Sequence, residues 1–173
     1  MSKVFSVKKL ALSAMLSALA LISFMIENLF PPLFLPGARL GISNVFILLA
    51  VLFLGSGYGY AVFIVKVVLG CIFSGNVSSI LYSLPSGLIA LTVQIILLKF
   101  NKKFGLIAIS VFGAILNLVV QNIVFCLITG VMEYLAYSPY LSLIGILSGA
   151  IIGGIVYLIY KKTPNSIVEK ITN

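Results

Sequence analysis

The sequence has very few of the side chains that enzymes use for chemistry. Among 173 residues there is no histidine, and the three acidic residues are Glu27, Glu133 and Glu169. They lie far apart, so we expect no carboxylate pair, metal cluster or nucleophile–base set. Prenyl and phosphoryl transfer usually need clustered acids that hold Mg²⁺. We therefore expect a protein that is not an enzyme and that has no metal site and no cofactor.

Charge is scarce as well. Charged residues make up 8% of the chain and hydrophobic residues 62%, whereas a soluble domain has roughly 25% charged residues. Such a chain requires lipid around it, so we expect a single integral membrane domain over residues 1–173. The two cysteines, Cys71 and Cys126, lie in apolar segments and are expected to be buried small side chains, with no disulfide between them.

Apolar windows predict an all-α bundle of six transmembrane helices. A spanning helix needs roughly 20 apolar residues, so a chain of this length can supply about six. The second and third windows are short, and the third contains Lys66 near its middle. The six windows are Lys9–Ile26, Leu40–Leu54, Tyr58–Phe73, Val77–Leu98, Phe104–Val131 and Tyr140–Tyr160.

The basic residues predict how the bundle is oriented. A net charge of +8 would suggest nucleic acid as the partner of a soluble protein, but here the charges flank apolar windows. With six spans, nine of the eleven basic residues share one side with both termini, and Arg39 lies alone on the other. Basic loops mark the cytoplasmic face. We therefore expect cytoplasmic termini, a multi-pass plasma-membrane protein and no nucleic-acid partner.

The connection from Glu27 to Arg39 is apolar and rich in proline. Pro31, Pro32 and Pro36 prevent it from being helical throughout. Because it faces outside in the six-span topology, it is compatible with a lid lying against the bundle and equally with an ordinary re-entrant connector.

Lys66 is the most informative polar residue in the windows. A lysine at the centre of a membrane helix costs roughly 2.5–3.5 kcal/mol unless it faces a cavity or a partner. One interpretation is that Lys66 pairs with Glu27 and locks two helices together. The other is that Lys66 and Arg39 attract an anionic group from outside. Gly59 and Gly70 share nearly the same helical face and should leave room beside it.

Carboxamides in the windows extend this candidate site. Asn117 and Gln121 are four residues apart and share a face with Gly113, and Asn122 follows. Such amides either join helices by hydrogen bonds or line a site. Because Asn44, Asn117 and Gln121 lie toward the predicted outer half, we take them as candidate ligand-orienting residues.

Small residues mark two packing surfaces. Gly145, Gly149 and Gly153 form a GxxxGxxxG motif, which is most simply explained by close packing inside the bundle. In the first helix Ala11, Ala14 and Ala18 share one face, and Ser13, Ser17 and Ala20 share another. One face can pack internally while the other remains for a second membrane protein.

Three segments carry a resemblance to a known family. The run 11–27, the stretch from Pro31 to Asn44 and the segment Lys66–Gly70 resemble the Gx transporter family, also called heptaprenyl diphosphate synthase component I. The resemblance covers essentially the whole chain, and Pro-Gly-Ala-Arg-Leu-Gly-x-x-Asn is its most specific part.

That family is similar to the substrate-binding S components of energy-coupling-factor transporters. The resemblance implies a six-helix protein that captures a vitamin-like solute near the outer face, beneath the loop between the first two helices. It also implies docking through an Ala-x-x-x-Ala motif, matched by Ala14 and Ala18, on a membrane coupling protein driven by two ATPases. The chain has no nucleotide-binding loop, so other chains would hydrolyse the ATP.

A second class of function is also compatible with the sequence. Members of the family resemble membrane proteins associated with flavin-based electron transfer in Gram-positive bacteria. The alternative is therefore a non-catalytic membrane subunit serving quinone or prenyl metabolism, or extracellular electron transfer, in such a plasma membrane.

Overall fold

The computed structural model describes residues 7–29, 41–100 and 105–164, and in these ranges the chain is helical with short links. Two 3₁₀ segments, Val77–Ser79 and Met132–Tyr137, lead into the fourth and sixth helices. The α-helices are α1 (Val7–Asn28), α2 (Asn44–Leu54), α3 (Ser56–Phe73), α4 (Ile80–Phe100), α5 (Leu106–Thr129) and α6 (Ser138–Lys162).

The predicted all-helical membrane architecture is confirmed. Within the described ranges, five helices are long and apolar enough to cross a membrane. The exception is α2, whose eleven residues extend about 16 Å, roughly half of a 30 Å hydrocarbon layer. Its predicted window begins at Leu40, which lies outside the described residues. Six complete spans and cytoplasmic termini therefore stay predictions.

The short helix α2 forms a tight antiparallel hairpin with α3. The hairpin turns at Gly55, whose φ of 101° lies in the region that glycine adopts without strain. Asn44 and Lys66 are each eleven residues from Gly55, so the hairpin brings them to the same depth. The sequence itself thus pairs these two polar residues.

Contacts with α6 fix the depth at which α2 begins. Val45 and Ile152 belong to one buried cluster, and the ring of Phe53 stacks on that of Tyr160 at 6.0 Å. The helix α2 therefore runs beside the C-terminal half of α6, and its first turn lies midway along the bundle.

The glycine motif of α6 packs inside the bundle, as the sequence predicts. A Cβ atom at Gly145, Gly149 or Gly153 would lie 3.0, 2.5 or 2.7 Å from the Cα of the residue opposite it on α5. Those residues are Ile115, Val111 and Ile107, spaced four apart like the glycines. The motif therefore lets two antiparallel backbones approach closely.

The two faces of α1 are also distinct in the structure. Ser13 and Ala20 are buried, with Leu16 and Phe24, whereas Ala11, Ala14 and Ala18 are exposed. The alanine face therefore points outward from the bundle. Both cysteines are buried and free, as expected.

Candidate ligand-binding site

A partly enclosed cavity lies between two groups of helices. Helices α1 to α3 pack mainly with one another, as do α4 to α6, and the two groups meet through α3–α4 and α2–α6 contacts. The cavity has a volume of about 70 Å³, and a water molecule needs roughly 10–15 Å³. It has room for several waters or a small polar group. Its polar lining comprises Glu27, Ser43, Asn44, Lys66, Ser83, Gln94, Ser110, Asn117 and Gln121.

The cavity brings together four of the five residues that the sequence indicated as ligand-binding. Asn44, Lys66, Asn117 and Gln121 all line it, although they come from three different helices. The fifth, Arg39, lies outside the described residues, as does most of the proline-rich connection.

The side chain of Lys66, which lies on α3, reaches the first turn of α2. Its side chain is 7% exposed, and Nζ donates a hydrogen bond to Oδ1 of Asn44 at 3.1 Å. The ammonium also lies 5.3 Å from the ring centroid of Phe24, within the range of a cation–π interaction. Lys66 therefore joins α3 to α2 and to α1 while it lines the cavity.

Glu27, near the end of α1, contacts Ser43, the residue that precedes Asn44 at the start of α2. Its buried carboxylate accepts a hydrogen bond from the backbone N–H of Ser43 at 3.3 Å. A negative charge is favourable at the N-terminus of a helix, so Glu27 fixes α1 to the beginning of α2. We call Glu27, Ser43, Asn44 and Lys66 the charged corner of the cavity.

Neutral carboxamides from two other helices also line the cavity. We call Gln94, Asn117 and Gln121 the amide wall; the first lies on α4 and the others on α5. Gln94 is 9% exposed, and its amide lies directly over Gly113, where a Cβ would be 1.9 Å from Nε2. Gly113 therefore provides the space in which Gln94 reaches the cavity.

Gln94 is the site residue that sequence reasoning missed. A signal was present, because Gln94 is a polar residue inside an apolar window, the same criterion that singled out Lys66. Gly113 was recognised only as a neighbour of Asn117 and Gln121. The space that Gly113 leaves for the Gln94 amide depends on the packing of α4 against α5, which the sequence does not give.

Several polar groups at the cavity have no protein partner among the described residues. The hydroxyl of Ser43 is fully buried without a hydrogen bond, and the side chains of Gln94 and Asn117 make none either. A buried polar group left unsatisfied costs about 1–3 kcal/mol. Water or a ligand in the cavity would supply the missing partners.

Asn122 has a different role from its neighbours on α5. Its Nδ2 donates to the backbone oxygen of Tyr134 at 2.9 Å and to Oγ of Ser138 at 3.0 Å. These bonds tie α5 to the segment that enters α6. Of the two interpretations of the amides, hydrogen bonding between elements applies to Asn122, and lining a cavity applies to Asn117 and Gln121.

The expectation that Gly59 and Gly70 leave open room beside Lys66 is wrong. A Cβ at Gly59 would lie 2.3 Å from a methyl of Val51, and one at Gly70 would lie 2.4 Å from the Phe24 ring. Protein interiors are close-packed, so neighbouring side chains occupy both spaces. The hollow lies instead toward Asn44 and the amide wall.

The described residues contain no group of three or more histidine, cysteine or acidic side chains placed to hold a metal ion. The site therefore offers one ammonium, one carboxylate, amides and hydroxyls. This set can bind and orient a small polar molecule by charge and hydrogen bonds.

Fold and site together define a multi-pass helical membrane protein with a polar cavity between its helices. The profile of the heptaprenyl diphosphate synthase component I family matches residues 16–159. The chain belongs to that family. Comparison with curated proteins and with solved structures found no match.

Proposed function

We propose that the chain is the substrate-binding subunit of an energy-coupling-factor-type importer in a bacterial plasma membrane. It captures a small anionic or amphipathic micronutrient that enters from the outer face. Lys66, with Arg39, attracts the acidic group of the solute, and Asn44, Asn117 and Gln121 orient it.

The observation that carries this proposal is the polar cavity itself. A chain that only filled the membrane would gain from apolar packing, because buried polar groups are costly without partners. This chain instead has Lys66 of α3 and Asn117 and Gln121 of α5 around one hollow. Intramembrane ionisable residues commonly mark solute pathways.

The exposed alanine face of α1 supports the second part of the proposal. Ala11, Ala14 and Ala18 are exposed on one face of α1, and small residues let helices of two proteins approach closely. We assign this face to a membrane coupling protein, which would work with two ATPase subunits. The chain itself is then non-catalytic.

The family name favours a second candidate. A component of a heptaprenyl diphosphate synthase could be a non-catalytic membrane subunit beside a separate catalytic chain, with a role in prenyl or quinone metabolism. A cavity of about 70 Å³ is far too small for a seven-isoprene chain, which would have to lie on the outer surface. The cavity therefore favours capture of a small solute.

Mass spectrometry of small molecules retained by the purified chain tests the proposal. We expect a defined solute with the wild type, and its loss in Lys66→Met, because the ammonium is removed while side-chain length is kept. Lys99→Met is the control, since Lys99 is exposed at the end of α4. A solute retained equally by all three proteins, or prenyl lipid alone, would contradict solute capture at Lys66.

A further inference from the structure

We infer that the captured solute carries a neutral amide or lactam group in addition to its acidic group, and that Gln94 is the residue that selects for it. This inference rests on the proposed function and specifies the chemistry of the ligand. It places the acidic group at the charged corner and the lactam at the amide wall.

Gln94 is built into the site and yet lacks a protein partner. Its side chain is more than nine-tenths buried, lines the cavity, and makes no hydrogen bond with another described residue. A carboxamide has two N–H donors and a carbonyl acceptor. In an apolar bundle these groups require a partner inside the cavity.

Asn117, which is half-buried, adds a second amide on the facing helix. Its amide also lines the cavity and makes no hydrogen bond within the described residues. Asn117 and Gln121 are four residues apart and project from one face of α5. The wall thus presents donors and acceptors from two helices but no charge.

The complementary ligand surface follows from that chemistry. A group with an N–H beside a C=O can both donate to and accept from a carboxamide, as a lactam does. An ionised group would find no counter-charge at the wall, and an apolar ring would leave the amides of Gln94 and Asn117 unsatisfied. The ionised group belongs at the charged corner, where Lys66 lies.

Gly113 positions the selecting residue. A Cβ there would occupy the place of the Gln94 amide, so any larger residue displaces Gln94 from its present position. Gly113→Ala should therefore weaken lactam recognition although Gln94 itself is still present.

Three probes of similar ring size separate the two parts of the site. Benzoate has the carboxylate alone, uracil has the lactam alone, and orotate has both. Binding to the full chain in lipid nanodiscs is measured through the shift in thermal unfolding midpoint over a concentration series. We expect orotate to bind at least about tenfold more tightly than benzoate, because sites built for hydrogen bonding discriminate strongly against analogues that lack the group.

Variants test whether Gln94 is the residue that causes the preference for orotate over benzoate. Gln94→Leu should lower the affinity for orotate to that for benzoate. If Gln94→Leu does not fold, Asn117→Leu is the second variant, and it should also lower the affinity for orotate. Thr92→Val is the control, because Thr92 is on the exposed face of α4 and should leave the preference intact.

The outcomes distinguish this inference from the proposed function. Benzoate and orotate binding equally, with both lost in Lys66→Met, would overturn the lactam inference and leave capture at Lys66 standing. An orotate preference that survives Gln94→Leu would also overturn it. Failure of both carboxylates to bind the wild type would count against the lactam inference and anion capture together.

Discussion

An ammonium in the middle of a membrane bundle needs specific surroundings, and three are present at Lys66. Asn44 accepts its hydrogen bond, the Phe24 ring lies beneath it, and the cavity gives it access to polar groups. Since hydrogen bonds to charged groups contribute about 1.5–3 kcal/mol, Asn44 contributes to stability as well as to the site.

A double-mutant cycle tests this contribution. Asn44→Leu removes the acceptor and should destabilise the fold by about 1–3 kcal/mol, because the ammonium loses this hydrogen bond in a low-dielectric interior. Combined with Lys66→Met, the loss should be clearly smaller than the sum of the single effects. The readout is the unfolding midpoint in detergent, and Asn76→Leu, in the exposed α3–α4 link, is the control. Additive effects would show that the Lys66–Asn44 bond contributes nothing.

At the residue scale the sequence was informative wherever a polar side chain interrupted an apolar run. Lys66, Asn44, Asn117 and Gln121 were found in this way, and the structure places them around one cavity. Which amide would face the cavity and which would join elements was not predictable, because Asn122 differs from Gln121 only by its rotation around α5. Filling of the space beside Gly70 by Phe24 likewise depends on how α1 packs against α3.

At the element scale, the α5–α6 hairpin depends on glycines that differ sharply in their surroundings. Gly149 faces the backbone of Val111, whereas a methyl group added at Gly154 would meet no atom within 4 Å. The same substitution at the two positions therefore separates packing from helix propensity.

Gly149→Ala should destabilise the protein by roughly 1–3 kcal/mol, because the added methyl forces two backbones apart. Gly154→Ala should be neutral or stabilising by up to about 1 kcal/mol, since alanine is the better helix former. Thermal unfolding in detergent measures both. Equal effects at the two sites would contradict the close α5–α6 packing.

The alanine face of α1 carries a prediction of its own. Ala14→Trp and Ala18→Trp should leave folding intact, because both residues are exposed, but should abolish co-purification with a coupling protein and ATPases. Leu147→Trp, on the exposed face of α6, should have no effect. Co-purification that persists in the α1 variants would count against docking through this face.

The elements themselves could largely be predicted. Apolar windows located all six helices to within a few residues, because lipid requires long uninterrupted apolar segments. The length of α2 could not be predicted, since its window merges with the proline-rich connection. Its position along the C-terminal half of α6 depends on the buried cluster that contains Val45 and Ile152.

At the scale of the whole molecule, the cavity is a consequence of two helix groups meeting through limited contacts. The charged corner comes from α1 to α3, and the amide wall from α4 and α5. A ligand bound between them would contact both groups, so binding should stabilise the complete bundle.

The predicted orientation can be tested on the same scale. Ala136→Cys and Gly105→Cys introduce exposed thiols at opposite ends of α5, while Cys71 and Cys126 stay buried. In intact cells, a membrane-impermeant maleimide should label position 136 and not position 105, as cytoplasmic termini and six spans require. Labelling of position 105 alone would reverse the orientation.

The most direct test of the account is an experimental density map of the chain purified from its native membrane in lipid nanodiscs. We expect non-protein density in the cavity, within hydrogen-bonding distance of Nζ of Lys66 and in contact with Gln94 and Asn117. A cavity filled by the chain's own side chains, with these amides bonded to protein groups, would contradict small-molecule capture.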